Sequence, residues 1–216
     1  MPQLFRPYAN TLARASLLGA ALVLVGIAWA GYEVTQSSSA TGVGTPVTQA
    51  VPFSHAHHVG GLGIDCRYCH TTVETSSFAG MPATQTCMTC HSFIWRDSPM
   101  LAPVRESDAT GVPLEWSRVN NLPDYVYFNH RMHVSKGIGC VSCHGRVDRM
   151  PLTWKTESFR MSMCLDCHRA PEKYVRPREA VFDMAWEAPP GLDRVALAKE
   201  YHLDSRRMVN CYVCHR

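Results

Sequence analysis

Hydrophobic and polar positions divide the chain into stretches of different kind. From Ala15 to Tyr32 the run ASLLGAALVLVGIAWAGY carries no charge. Its 18 residues, at about 1.5 Å of rise each, make roughly 27 Å of helix, close to the hydrocarbon thickness of a bilayer. Arg6 and Arg14 precede the run and the first acidic residue is Glu33. The positive-inside bias therefore places the N-terminus in the cytoplasm and residues 33–216 on the far side of the membrane. A cleaved signal peptide competes with this reading, because Ala28-Trp29-Ala30 has the small-x-small form of a cleavage site. The apolar run is longer than the roughly 7–15 residues of a signal core, which favours a retained anchor within residues 1–32. Glu33 to Pro52 is rich in Ser, Thr, Gly and Gln, has no periodicity and reads as a linker, residues 33–52. Near the end, Pro189-Pro190-Gly191 breaks the chain before a predicted helix from Leu192 to Met208.

Cysteine spacing changes the picture of residues 53–216. All ten cysteines fall in five copies of Cys-x-x-Cys-His: Cys66 and Cys69 before His70, Cys87 and Cys90 before His91, Cys140 and Cys143 before His144, Cys164 and Cys167 before His168, Cys211 and Cys214 before His215. This spacing lets two thiols reach the two vinyl groups of one porphyrin while the adjoining histidine reaches the iron. A single Cys-x-x-Cys pair is equally a zinc knuckle or a redox dithiol. Histidine is only 11 of 216 residues, so its arrival by chance behind all five pairs has a probability of about three in ten million. A structural disulfide framework would need no histidine at each site. The motifs therefore predict five covalently attached haem c groups.

The 184 residues after position 32 leave about 37 per motif, too few to wrap each porphyrin in a domain of its own. The expected fold is mainly α and irregular: short helices and long loops packed on haem modules of the cytochrome c3/c7 kind, behind one N-terminal transmembrane helix. Between successive motifs lie 16, 48, 19 and 42 residues. This short-long alternation marks two haem pairs, residues 53–91 and 128–168, and a fifth haem in residues 192–216. Phe53-Ser-His55-Ala-His57-His58-Val59 precedes the first pair as Phe128-Asn-His130-Arg-Met-His133-Val134 precedes the second, and Met81-Pro82 and Met150-Pro151 stand at matching places between motifs. The pattern is an internal duplication of a two-haem module.

Histidines outside the motifs are the candidates for the second axial position, which makes iron six-coordinate and suits it to electron transfer. His55 and His58, like His130 and His133, are three apart, so on a helical turn both rings project to one side and serve two neighbouring haems. His57 has no counterpart in the second copy, where Met132 stands, and reads as a surface residue. The fifth iron needs another ligand. The candidates are His202 and the methionines Met81, Met150, Met161, Met163 and Met208, most of which are expected to pack around porphyrin faces; Met150 is the first choice and His202 the second.

The stretches Pro113-Leu-Glu-Trp116-Ser-Arg118-Val-Asn-Asn-Leu122 to His130, Gly139-Cys140 to Met150, Met161-Ser-Met-Cys164 to Arg169, Cys211 to Arg216, and the N-terminal Tyr8-Ala-Asn10-Thr-Leu12-Ala-Arg14 together resemble the pentahaem, membrane-anchored cytochrome c subunit of bacterial alternative complex III. Met163 departs from the aromatic residue expected there, which touches local packing only. The resemblance implies a quinol:electron acceptor oxidoreductase of respiration or photosynthesis. Within it an integral membrane subunit binds quinol beside a large iron–sulfur subunit. The pentahaem subunit relays electrons towards a monohaem cytochrome c, a copper protein or an oxidase. It implies a location in the bacterial inner membrane, in contact with lipid, with the haem domain on the periplasmic side.

No catalytic acid, base or nucleophile stands out. Asp97, Glu106, Asp108 and Glu115 lie in polar segments and read as solvated charges. A net charge of +3 without an aromatic-basic stripe gives no support for nucleic acid binding. Two rivals remain: a stand-alone, membrane-anchored multihaem quinol dehydrogenase, and a multihaem reductase of a small nitrogen or sulfur compound. The second needs an open iron or an altered motif, and all five motifs are regular.

Overall fold

The computed structural model describes residues 5–215; residues 1–4 of the N-terminal stub and Arg216 lie outside the described residues. The chain divides into two compact units with the boundary between Val43 and Gly44.

The first unit is dominated by helix α1, Ala9–Gln36, 28 residues with no buried side chain. An 18-residue stretch within it has a mean hydropathy of 1.9, and the helix is long and apolar enough to cross a membrane. The helix outruns the uncharged segment at both ends. Beyond Tyr32 it continues because Trp29 Nε1 donates to Glu33 Oε1 across one turn, at 2.8 Å. A short turn, Ser38–Thr41, ends at Gly42, whose φ of 71° is the left-handed cap that glycine tolerates.

The second unit starts inside the stretch read as linker. Gly44 N donates to Lys155 O at 2.8 Å and Val47 N to Thr153 O at 3.2 Å, around an isolated antiparallel bridge from Pro46 to Trp154. The Gln49 carboxamide exchanges two hydrogen bonds, both 2.9 Å, with the backbone of Ser117. Val51 is buried with Leu101 and Val104, and Cys87, Met88, Leu114 and Trp116 pack against that cluster. Composition did not reveal this, because the pairing runs through backbone groups whose partners lie about a hundred residues away.

Elsewhere the unit consists of short helices and loops: α2, Thr84–His91; α3, Ala102–Thr110; α4, His130–Ser135; α5, Met161–Arg169; and α6, Arg194–Glu200. Among the described residues there are isolated bridges and no strand, as expected for a mainly α and irregular fold. The predicted helix from Leu192 to Met208 is two pieces. After α6 the chain turns at His202, φ 55°, and Asp204 then caps a new turn, Ser205–Met208, by accepting from Arg206 N. An aspartate side chain competing for backbone N–H groups favours a fresh N-cap over helix continuation.

The protein core is small. Its fully enclosed large side chains are Met150, Val104, Val175 and Val181, while Phe93, Ile94, Trp95 and Tyr125 stay exposed. A unit of this length ordinarily encloses more apolar surface. Such sparseness fits a fold that closes around large flat cofactors. Arg176 is buried and braces the third motif: it stacks on Trp186 at 4.8 Å, donates through Nη1 to Asp183 O at 3.1 Å, and lies so close to Gly139 that a Cβ there would sit 2.3 Å from its Cζ.

Candidate haem-binding site

Each Cys-x-x-Cys-His sits on or at the end of a helical turn: Cys66–Cys69, the end of α2, Val141–His144, α5 and Cys211–Cys214. In a helical turn residues three apart share a face, which brings both thiols to one side. All ten thiols are unpaired. The first turn is set by Asp65, whose carboxylate accepts from Arg67 N as an N-cap.

The two candidate distal pairs are built alike. His55 and His58 enter a π-helical turn, Ala56–Gly61; His130 and His133 lie on α4. Ser54 Oγ accepts from His57 N at 3.2 Å in the first copy, and Asn129 Oδ1 accepts from Met132 N at 3.3 Å in the second. Phe53 stacks on His58 at 4.5 Å and meets His55 edge-on at 4.9 Å; Phe128 does the same to His133 at 4.4 Å and His130 at 4.8 Å. The duplication read in sequence is thus a duplication in geometry. The modules also brace one another. His130 Nδ1 donates to Ser77 O at 2.9 Å, and His55 Nδ1 is 2.9 Å from Thr153 Oγ1, so each module's first histidine is held by the other module's loop.

Imidazoles of the motifs meet the others at a regular spacing. Ring centroids are 6.2 Å apart for His58 and His91, 6.3 Å for His130 and His144, and 6.2 Å for His133 and His168. Two metal–nitrogen bonds of about 2.0 Å plus two ring radii add up to roughly 6.3 Å, the separation of two imidazoles on one iron. After burial, the charges of His70 and then His58 lower the pKa of His55.

Hydrogen bonds fix which ring nitrogen is free. Backbone carbonyls accept from Nδ1 of His58 (Ser54 O, 2.9 Å), His70 (Gly80 O, 2.7 Å), His91 (Ile94 O, 3.0 Å), His130 (Ser77 O, 2.9 Å), His133 (Asn129 O, 2.8 Å), His168 (Met208 O, 2.9 Å) and His215 (Tyr125 O, 3.2 Å). A carbonyl can only accept, so Nδ1 carries the proton in these seven and Nε2 keeps its lone pair for a metal. Burial, then the neighbouring histidines, hold His55 and His144 down to about 4. Burial is likewise the main cause lowering His130 and His133. These rings are therefore neutral at neutral pH, the form that ligates iron.

The donor set also fits porphyrin iron better than a bare ion. Among the described residues no three His, Cys, Asp or Glu side chains converge on a point. Two imidazoles per site leave the remaining coordination to a macrocycle.

Two sequence candidates sit differently. Met150 is 2% exposed and its carbonyl accepts from Ala56 N at 3.0 Å. Protein atoms surround the side chain, a setting that suits packing. His202 is exposed and belongs to a turn rather than a helix. His57 is exposed and stacks on Trp95 at 6.2 Å.

Cys-x-x-Cys-His turns repeated along one chain, facing imidazoles set in duplicated modules, and a core left to cofactors define a multihaem cytochrome c. Residues 126–216 match the family model of cytochrome c7 and related cytochromes c. Over 180 residues the chain is 30% identical to the multihaem cytochrome c subunit of menaquinone reductase from Nitratidesulfovibrio vulgaris, spanning 78% of this chain and 77% of that protein. The chain belongs to this family of multihaem cytochromes c, whose haem c is covalently bound.

Proposed function

We propose that this chain is a five-haem electron-relay subunit of a membrane quinone oxidoreductase, retained in the bacterial inner membrane by α1 with residues 53–216 on the periplasmic side. The observation that carries the reading is the set of nine imidazoles, His55, His58, His70, His91, His130, His133, His144, His168 and His215, each with Nδ1 engaged. Haem c supplies a one-electron iron couple when bound. The chain's part is to hold it: Cys66, Cys69, Cys87, Cys90, Cys140, Cys143, Cys164, Cys167, Cys211 and Cys214 form the thioether links. His70, His91, His144, His168 and His215 would hold one iron each, and His55, His58, His130 and His133 would supply a second imidazole to four of them. Iron held by two imidazoles would exchange electrons rather than bind substrate. For the fifth iron Met150 and His202 are the candidates.

The finer reading is the pentahaem subunit of alternative complex III, working with an iron–sulfur subunit, a quinol-binding membrane subunit and a monohaem cytochrome c or copper-protein acceptor. The relative from N. vulgaris supports membership in a quinone-linked complex, and its name as a menaquinone reductase subunit favours a second direction, electrons delivered to quinone. Purification in mild detergent tests the proposal. The expected result is co-purification with an iron–sulfur protein and a multi-span membrane subunit, and a denatured mass carrying five haems. Fewer haems, or a solitary chain that oxidises quinol alone, overturns it.

A further inference from the structure

Four of the five motif histidines are oriented by the main chain, through a carbonyl that accepts from Nδ1; His144 is not. Its Nδ1 faces the side chain of Asn120, with Nδ2 at 3.0 Å, across 24 residues of sequence. In this placement Asn120 Oδ1 is buried and has no hydrogen-bond partner. An orphaned acceptor inside a protein costs about 1–3 kcal/mol and calls for a physical reason.

That reason lies in the tautomer. If His144 Nε2 binds iron, Nδ1 must carry the proton, and a protonated Nδ1 cannot face an amide N–H. Rotating the Asn120 carboxamide by half a turn, which leaves its shape unchanged, puts Oδ1 opposite Nδ1–H and pairs the acceptor with the proton. We infer that Asn120 is a positioning residue for His144, accepting its Nδ1 proton through the side-chain oxygen. The inference rests on His144 being a haem ligand.

A side-chain acceptor differs from a peptide carbonyl because substitution can change its chemistry. A stronger acceptor draws the Nδ1 proton, makes the imidazole a better electron donor and stabilises ferric iron; removing the acceptor does the opposite. The third haem is thus the one whose potential a single side chain sets from behind its proximal ligand.

The test is a potentiometric titration of the holoprotein with haem content checked by mass. In Asn120→Asp one reduction wave is expected to move to lower potential while the other four stay. In Asn120→Leu the same wave moves to higher potential. Waves unmoved in Asn120→Asp, or moved in the same direction in both variants, overturn the inference. Should the leucine variant not fold, the near-isosteric aspartate alone decides, by the presence or absence of the downward shift. A wild-type protein lacking haem on Cys140 and Cys143 overturns the haem-ligand reading instead, and haem mapping of the wild type separates the two failures.

Discussion

Phe128 lies face to face with His133, ring centroids 4.4 Å apart and planes 25° from parallel. The same ring meets His130 edge-on, at 86°, so one phenyl sets the orientation of two imidazoles. Their Nδ1 atoms are fixed at Ser77 O and Asn129 O. An aromatic contact of this kind contributes about 0.5–1.5 kcal/mol beyond the area it buries. Phe128→Leu keeps most of the volume and loses the stack. It is expected to lower the stability of the holoprotein by about 1 kcal/mol, and to disturb the electron paramagnetic resonance signals of two ferric haems, since axial-ring orientation governs them. Unaltered signals would show that the carbonyl bonds alone orient the rings.

Close approach of the modules limits one position to glycine. A Cβ on Gly60 would lie 2.2 Å from the backbone oxygen of Asp148. Main chain cannot swing aside as a long side chain does, so Gly60→Ala forces the π-helical turn that carries His55 and His58 away from residues 147–149. Overpacking of this sort costs about 1–3 kcal/mol. A lower thermal midpoint of the holoprotein is expected. Gly19→Ala, where a Cβ meets nothing within 4 Å, is the neutral control.

What the sequence made legible follows from what is local. Cys-x-x-Cys-His and Phe-x-His-x-x-His are spacings within one or two turns, so attachment sites, candidate axial ligands and the duplication could be read directly. The apolar run of α1 was equally local. The rest depends on distant backbone groups. Nothing around Ser77 or Thr153 marks them as the acceptors that hold His130 and His55. Asn120, in the plain stretch Arg118-Val-Asn-Asn-Leu122, carries no sign of its place behind His144. Residues 44–52 look like linker because their partners are peptide groups of residues 117 and 153–155. Met150 stands beside a motif in the sequence, and nothing there shows how fully its side chain is buried.

The pair of Arg146 and Asp148 gives the modules' contact a pH dependence. Arg146 Nε donates to Asp148 Oδ1 at 2.7 Å. Hydrogen bonds from Arg146 are the main cause holding the Asp148 carboxyl below its usual 3.8. A carboxyl depressed in the folded state contributes stability that is present above its unfolded pKa and lost as pH falls through the folded one. Asp148→Asn is therefore expected to lower the thermal midpoint at neutral pH, with the difference from the parent closing as the pH falls below the ordinary carboxylate range. A difference that persists unchanged in acid would assign the effect to packing.

Met150 separates ligation from packing. Its side chain is among the largest fully enclosed in the protein, and its carbonyl ties the turn after the third motif to Ala56 N, at 3.0 Å. Truncating an enclosed methionine costs about 2–5 kcal/mol, while leucine, of similar volume, costs under about 1.5 kcal/mol. If the thioether only packs, Met150→Leu leaves the oxidised spectrum unchanged, including any methionine-to-iron band at its red edge, and Met150→Ala lowers stability by the larger amount. If it ligates iron, both variants abolish that band and convert one haem to a high-spin form open to cyanide. Met150→Leu therefore decides the point by spectrum alone: an unchanged spectrum is the result expected from the side chain's burial, and loss of the band assigns it to iron.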